Sequence, residues 1–374
     1  MKIVVFVENY GATGVVRNAI AIASGLARDG HEVTLLAAKS DGVLRSTVPT
    51  AVRTAALREA GEATPRKAIL RSVFRKFRSF VAREKPDVVF SAGNHGHLLV
   101  LAATRFLSCR TIIRISNDLA HESDADRRST WKRLTRRLKF RTILTLADRI
   151  VLVSSKLRDQ IVDLDPKLAR KAMVIPNGVD LAMVEARASE WISPPISGAA
   201  PVVLAIGRLV PQKNFGILLE AFAIARRVRD LRLLLIGSGP LRSDVIESAE
   251  RLGIRDSFRL IDPVTNPFPL IKQSAVMTLP SWWEGSSNVL LEAIACGTPV
   301  VASKTAGNAE EVLDNGRFGL LVDPGDAEQM ANAILRQVGP EPVLPGDRAR
   351  DYDRAAAVHA YSDLIAGPAA FGEP

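Results

Sequence analysis

Three times in this chain an apolar run of strand length ends in a glycine turn and passes into an amphipathic segment. That repeated alternation limits the possible fold more than any other feature. The first instance is KIVVFV, the glycine-containing loop 11–14, and a segment over 15–28 whose apolar residues recur at three and four positions. The second is VVLAI, leading through Gly207 into 214–228, and the third is LRLLLI, leading through Gly237 into 241–252. Strands buried on both faces read as continuous apolar runs, so the pattern predicts parallel sheets covered by helices on both sides. Strands are expected at 2–7, 32–37, 87–91, 110–115, 149–153 and 174–176, then at 202–206, 232–236, 259–261, 276–279 and 300–302. The fold class is α/β, with two Rossmann-like, doubly wound domains.

At 374 residues the chain exceeds what one hydrophobic core organises. The expected division is an N-terminal domain over 1–185, a linker over 186–201 enriched in Pro, Ser and Ala, a C-terminal domain over 202–345, and a helical tail over 346–374 that packs back on the first domain. In open α/β sheets ligands bind beyond the C-terminal ends of the strands, so the active site is expected in a cleft that both domains face. No apolar run nears the roughly 20 residues that span a bilayer. Cys109 and Cys296 are too few for a disulfide framework or a zinc site. The start MKIVVFVENYG enters a glycine loop instead of a cleavage site, which predicts a cytoplasmic protein.

Charge is unevenly placed. Residues 1–200 carry 33 basic and 19 acidic side chains, and residues 201–374 carry 17 and 21. The excess concentrates in RKAILRSVFRKFRSFVAREK (66–85) and RRSTWKRLTRRLKFR (127–141), each with eight Lys and Arg. Ile69, Val73, Phe77, Phe80 and Val81 fall at helical spacing in the first, and Trp131, Leu134, Leu138 and Phe140 in the second, as in basic amphipathic helices. Such segments suit an anionic membrane surface, a pyrophosphate-bearing lipid or nucleic acid, and they also suit a plain solvated face.

The chemistry concentrates in loops of the second half. In IGRLVPQKN a strand leaves through Gly207 and enters a helix, so Arg208 and Lys213 stand near a helix N-terminus and form an anion site with its free N–H groups. In IGSGP, Gly237 and Gly239 lack side chains where a ligand could approach the backbone. In PSWWEGSSN, Ser286 or Ser287 is the expected N-cap of the helix that contains Glu292. Glu284 in that loop and Glu292 in the helix can accept hydrogen bonds from neutral hydroxyls, while the N–H groups of Gly285, Ser286, Ser287 and Asn288 face an anion ahead of the helix. Glu310, in a fourth loop, is either cleft-facing or solvated.

The run EGSSNVLLEAIACGTPVVAS, with Glu284 and Glu292 separated by seven residues, resembles the E-x7-E segment of the retaining glycosyltransferases of family four, whose fold is GT-B. GRLVPQKNFGILLEAF, LLLIGSGP, ADRIVLVSSKLRDQI and VIPNGVD are similar to the family's other blocks, in its order. By that resemblance Arg208 and Lys213 hold a donor diphosphate, Glu292 the ribose hydroxyls and Glu284 the transferred sugar. The first loop departs from the family: it keeps Gly14, which can present its N–H to a phosphate, but lacks a second glycine and an acid. The family's frequent histidine after the Asp-Val-Val strand is Phe90 or Ala92 here, leaving His95 and His97 as substitutes. The segment RISND resembles members that extend lipid-linked or polysaccharide glycans, which makes Asn117 and Asp118 acceptor-side candidates or turn caps.

What the resemblance implies is transfer of a hexosyl unit, with retention, from a nucleotide-diphosphate sugar, a UDP-sugar, to a lipid-linked or polysaccharide acceptor. The protein would be peripheral on the inner membrane face. No cofactor and no metal are expected: the D-x-D at 124–126 lies in a charged polar stretch, and Arg208, Lys213 and helix N-termini neutralise the leaving group. The alternatives are a small soluble acceptor, or a catalytically silent protein of the same fold. A dinucleotide-dependent oxidoreductase lacks its G-x-G-x-x-G, and nucleic acid is not an expected partner because aromatics are sparse, at 5%.

Overall fold

The computed structural model describes residues 1–59, 66–117, 130–190 and 200–367, without the side chains of 66–71, 130–134 and 136. Asp118, the D-x-D at 124–126 and most of the expected linker lie outside the described residues.

The chain divides into two units, Met1–Asn177 with Ala355–Pro374, and Gly178–Arg354. The first holds seven parallel strands, β1 (Lys2–Val7), β2 (Glu32–Ala37), β3 (Arg53–Ala56), β4 (Val88–Ser91), β5 (Arg110–Ile115), β6 (Arg149–Leu152) and β7 (Ala172–Val174), in the order β3-β2-β1-β4-β5-β6-β7. Its helices are α1 (Gly14–Arg28), α2 (Arg66–Glu84), α3 (His97–Thr104), α4 (Thr130–Leu146), α5 (Ser155–Leu164) and α6 (Pro166–Ala169). Strand β1 shows why its sequence is apolar from Ile3 to Val7. Ile3, Val5 and Val7 join the core under α1, while Val4 and Phe6 join Phe77 and Val100 on the other face. The Phe6 and Phe77 rings meet edge-on at 5.0 Å.

The second unit holds β8 (Val202–Ile206), β9 (Arg232–Ile236), β10 (Phe258–Ile261), β11 (Val276–Leu279), β12 (Val300–Ser303) and β13 (Leu320–Val322), in the order β10-β9-β8-β11-β12-β13. Its helices are α7 (Leu181–Ala188), α8 (Phe215–Val228), α9 (Arg242–Arg251), α10 (Phe268–Gln273), α11 (Asn288–Ala295), α12 (Ala309–Val312) and α13 (Ala327–Gln337). Val203, Leu233 and Leu235 pack with α8, α9 and α13, and Leu204, Leu234 and Ile236 pack with α7, α10 and α11. The last helix, α14 (Arg354–Ala366), inserts Tyr361, Leu364 and Ile365 into the first unit's core, with the Tyr361 ring edge-on to Phe90 at 5.6 Å.

The unit boundary falls at 177/178, earlier than the expected linker at 186–201. The reason is α7, whose Val184 and Ala188 are buried with Phe268 and Leu270 of α10. Arg187 reinforces this contact by donating to the Thr265 carbonyl at 3.0 Å. The chain returns at 354/355, and the two crossings run side by side: Val179 N–H donates to Tyr352 O at 2.8 Å and Arg354 N–H to Val179 O at 3.0 Å.

Candidate active site

In the second unit β8 lies between β9 and β11, so strand order reverses there, the place where open α/β sheets take their ligands. The loops leaving β8 and β11 carry the charged residues singled out from the sequence. Lys213 Nζ lies 2.8 Å from Glu284 Oε1, with side-chain exposures of 17% and 9%. The Ser281 hydroxyl donates to the same carboxylate oxygen at 2.6 Å. The loops are further tied by Trp282 N–H to Gln212 O at 2.9 Å and by the Gln212 side-chain amide to Trp283 O at 2.8 Å. Lys213 and Glu284, expected as separate ligands, therefore form a half-buried ion pair across the switch point. Arg208 is exposed on the loop after β8.

Gly237 and Gly239 act differently from the sequence expectation. A Cβ on Gly237 would stand 2.0 Å from Gly207 O, and one on Gly239, at φ +154, would stand 2.5 Å from Leu209 O. Gly207 N–H donates to Ile236 O and Gly237 N–H to Ile261 O, both at 3.0 Å. The space over both glycines is filled by the backbone of the loop after β8. They seat the loop that carries Arg208 and Lys213.

Helix α11 starts as expected at Asn288, with Ser287 in the N-cap position, but neither serine caps it. Ser287 makes no side-chain cap bond, and Ser286 Oγ is buried without a hydrogen-bond partner. Gly285 is buried, Asn288 and Glu292 are half-buried, and Glu292 sits one turn inside the helix. Glu292 also acts on Cys296, whose thiol is pushed up to about 12 by burial and then by the Glu292 charge. The loop after β12 lies against this one: Thr305 Oγ1 donates to Ser281 O at 3.3 Å. Gly307, at φ +71, has Ser287 N 3.2 Å and Glu284 Cβ 3.3 Å from its Cβ position. Glu310 is exposed, whereas Asn308 is 3% exposed with both amide atoms unpartnered. Ser281, Gln212 and Asn308 were not singled out from the sequence.

In the first unit the reversal falls between β1 and β4. Thr13 caps α1 by accepting from Val16 N–H at 3.3 Å, leaving Gly14 exposed at the helix start. The two histidines separate. His95 is exposed, but His97 is 1% exposed, with Nδ1 2.8 Å from Ser91 Oγ and Nε2 unpartnered. Burial, with the Arg114 charge nearby, pushes the His97 pKa down to about 3. His97 is a core residue and cannot stand in for a cleft histidine. Asn94 Oδ1 accepts from Ser116 N–H at 3.1 Å, joining the loops after β4 and β5, and Asn117 at that strand end is half-buried. Arg114 is 1% exposed and bonds to Tyr361 OH at 3.2 Å, Ala92 O at 3.4 Å and Asn177 Oδ1.

The basic segments are also divided. Val73, Phe77, Phe80 and Val81 of α2 are buried, so this apolar stripe is core and cannot enter a headgroup layer. Arg75 and Lys76 are exposed, while Arg78 donates to Ala103 O and Arg105 O at 3.0 Å. On α4, Arg137, Leu138 and Lys139 are exposed. No helix among the described residues is long and apolar enough to cross a membrane.

Comparison with known proteins places these loops in a family. The family described as Glycosyltransferase Family 4 matches residues 12–183, and that described as Glycosyl transferases group 1 matches residues 200–339. The chain is 28% identical over 165 residues to the N-acetylgalactosamine-N,N'-diacetylbacillosaminyl-diphospho-undecaprenol 4-alpha-N-acetylgalactosaminyltransferase of Campylobacter jejuni, covering 44% of each chain. It is 33% identical over 174 residues to the lipopolysaccharide core biosynthesis glycosyltransferase LpsE of Rhizobium meliloti, covering 45% of this chain and 50% of that one. It thus spans about half the length of these curated relatives or less. Anabaena Alr3699/HepE, solved in complex with UDP and glucose, superposes with a TM-score of 0.79 at 18% identity, covering 98% of this chain and 100% of that one. The chain belongs to the family-four glycosyltransferases and has the GT-B fold.

Proposed function

We propose that this chain is a retaining hexosyltransferase that moves a sugar from a UDP-sugar to a lipid-linked or polysaccharide glycan on the cytoplasmic membrane face. The observation that carries this reading is the Lys213–Glu284 pair at the strand reversal of the second unit, 2.8 Å apart and largely withdrawn from water. There an arriving diphosphate draws Lys213 away from Glu284, and a sugar hydroxyl replaces Lys213 as a donor to the Glu284 carboxylate that Ser281 already orients. Arg208 adds the second cation, Glu292 accepts from the ribose hydroxyls, and the N–H groups at the start of α11 face the phosphates. On the first unit, the exposed Gly14 N–H at the start of α1 is a further phosphate donor, and His95 and Asn117 are acceptor-side candidates.

In the reaction the acceptor hydroxyl attacks the anomeric carbon from the face the phosphate leaves. The carbon–oxygen bond to the diphosphate breaks, and the acceptor proton passes to the departing phosphate oxygen. Arg208 and Lys213 stabilise the charge that builds on the diphosphate, so neither a protein nucleophile nor a metal is needed. UDP as the nucleotide is supported by the complexes of Anabaena HepE with UDP and with UDP-glucose, which are facts about that protein. A membrane-borne acceptor is supported by the exposed Arg75, Lys76, Arg137 and Lys139 beside Leu138, which is 57% exposed. The test is a screen of nucleotide sugars for binding and donor hydrolysis by the full chain. Absence of both for every UDP-sugar would overturn the reading.

A further inference from the structure

A cavity of about 290 Å³ opens in the second unit between the starts of α8 and α9, lined by Val210, Pro211, Phe215, Leu219, Leu241, Val245 and Trp282 together with Asn214, Gly216, Asp244 and Ser248. None of Arg208, Lys213, Glu284 or Glu292 lines it. Its chemistry selects its occupant. Neither helix start is capped by a side chain; the Asn214, Leu241 and Arg242 N–H groups already donate to Pro211 O, Leu209 O and Gly239 O, so the donors toward the cavity are the first-turn N–H groups that follow them. Asp244 supplies an acceptor carboxylate and Ser248 a hydroxyl. An anion is disfavoured, because Asp244 faces it and no Lys or Arg lines the wall. A cation is disfavoured by the two positive helix ends. A wholly apolar ligand would cover the first-turn N–H groups without giving them partners, while Asp244 is exposed and keeps its water. A neutral ring carrying both hydroxyls and apolar C–H faces satisfies every wall.

Trp282 is the platform for such a ring. It is 41% exposed, unusual for so large an apolar side chain. Its indole is held from behind by the backbone at Gly325, where a Cβ would stand 2.5 Å from the ring. A ring fixed in this way loses little freedom on binding. The volume sits at the low end of small-molecule pockets, which fits a single ring.

We infer that this cavity is a subsite for one neutral sugar ring of the glycan, separate from the donor residues. This deepens the glycosyltransferase reading and rests on it. Trp282 is two residues from Glu284, and its N–H is bonded to Gln212 beside Lys213, so a ring bound here bears on the loops that carry the ion pair.

The experiment is saturation-transfer NMR and calorimetry of the full chain with methyl α-glucopyranoside, methyl β-galactopyranoside and methyl N-acetylglucosaminide, with and without saturating UDP. At least one glycoside should bind in the presence of UDP. Trp282→Ala should weaken that binding about tenfold or more by removing the stacking face, while Trp282→Tyr retains most of it. Asp244→Ala should weaken it several-fold and leave UDP affinity unchanged. Competition by a UDP-sugar would assign the ring to the donor and overturn the subsite. So would glycoside binding that is indifferent to Trp282, or no glycoside binding by a chain that binds UDP. Failure to bind UDP or any UDP-sugar counts against the glycosyltransferase reading instead. If Trp282→Ala fails to fold, Trp282→Tyr and Asp244→Ala carry the test.

Discussion

His97 makes the first unit sensitive to acid in a calculable way. Its pKa is held at about 3 in the folded chain against an ordinary 6.5, because burial penalises the imidazolium. Between these values the unfolded chain binds a proton that the folded chain refuses, so stability is fully present above about pH 6.5 and falls as pH drops toward 3. At pH 5 the unfolded imidazole is almost fully charged and the folded one neutral, which costs about 2 kcal/mol relative to pH 7. That figure depends on the unfolded value alone, since pH 5 lies well above the folded one. The perturbation is His97→Asn, which keeps an amide near the Ser91 hydroxyl and cannot titrate. Urea unfolding at pH 7 and pH 5, followed by a probe in the first unit, should show the wild type losing about 2 kcal/mol more than the variant. The His97 ring signal should also stay neutral through pH 5 by NMR. A midpoint near 6.5, or equal pH dependence in both proteins, refutes the assignment and returns His97 to the pool of functional histidines.

Glu292→Gln and Arg208→Ala should each lower donor-dependent turnover by about 10²-fold or more with circular dichroism unchanged, since in the proposed function each deletes a charged hydrogen bond to the donor; near-wild-type rates in both would remove the donor assignment. Chelation of divalent metals should leave most activity, and loss restored by Mg²⁺ or Mn²⁺ would contradict stabilisation by side-chain cations. Sedimentation with anionic vesicles should exceed that with neutral ones, weaken in high salt, and drop when Arg75, Lys76, Arg136 and Arg137 become Glu, at about 1 kcal/mol per engaged cation. A wild type indifferent to anionic vesicles makes a soluble acceptor the better reading.

Strands buried on both faces are legible because each must be apolar at every buried position, as β1 and β9 are after their first residues, Lys2 and Arg232. Those that escaped lack that requirement. Strand β3, RTAA, is an edge strand that pairs with β2 alone and has no fully buried residue. Strand β13, three residues long, is too short to stand out. The last strand of the first unit, expected at 174–176, is β7 at Ala172–Val174, another edge with no fully buried residue. Helix α7 is not legible, and the expected linker begins inside it at 186, because only Val184 and Ala188 of its eight residues are buried, too few to show a period.

The site divides along a similar line. Residue types at strand ends are visible in sequence, so Arg208, Lys213, Glu284 and Glu292 could be named. Their partnerships are not, because they join loops far apart in the chain: the Gln212 to Trp283 bond spans 71 residues. A serine before a tryptophan pair and an asparagine after a glycine carry no signal until folding turns the Ser281 hydroxyl onto Glu284 and buries Asn308. Gly237 shows the deeper limit. A missing side chain at a strand end means that something approaches the backbone closely, but not what. The carbonyl of Gly207, 2.0 Å from where a Cβ would stand, gives one answer within the protein: the bare backbone of Gly237 is what lets the loop after β8, which carries Lys213, sit down on it.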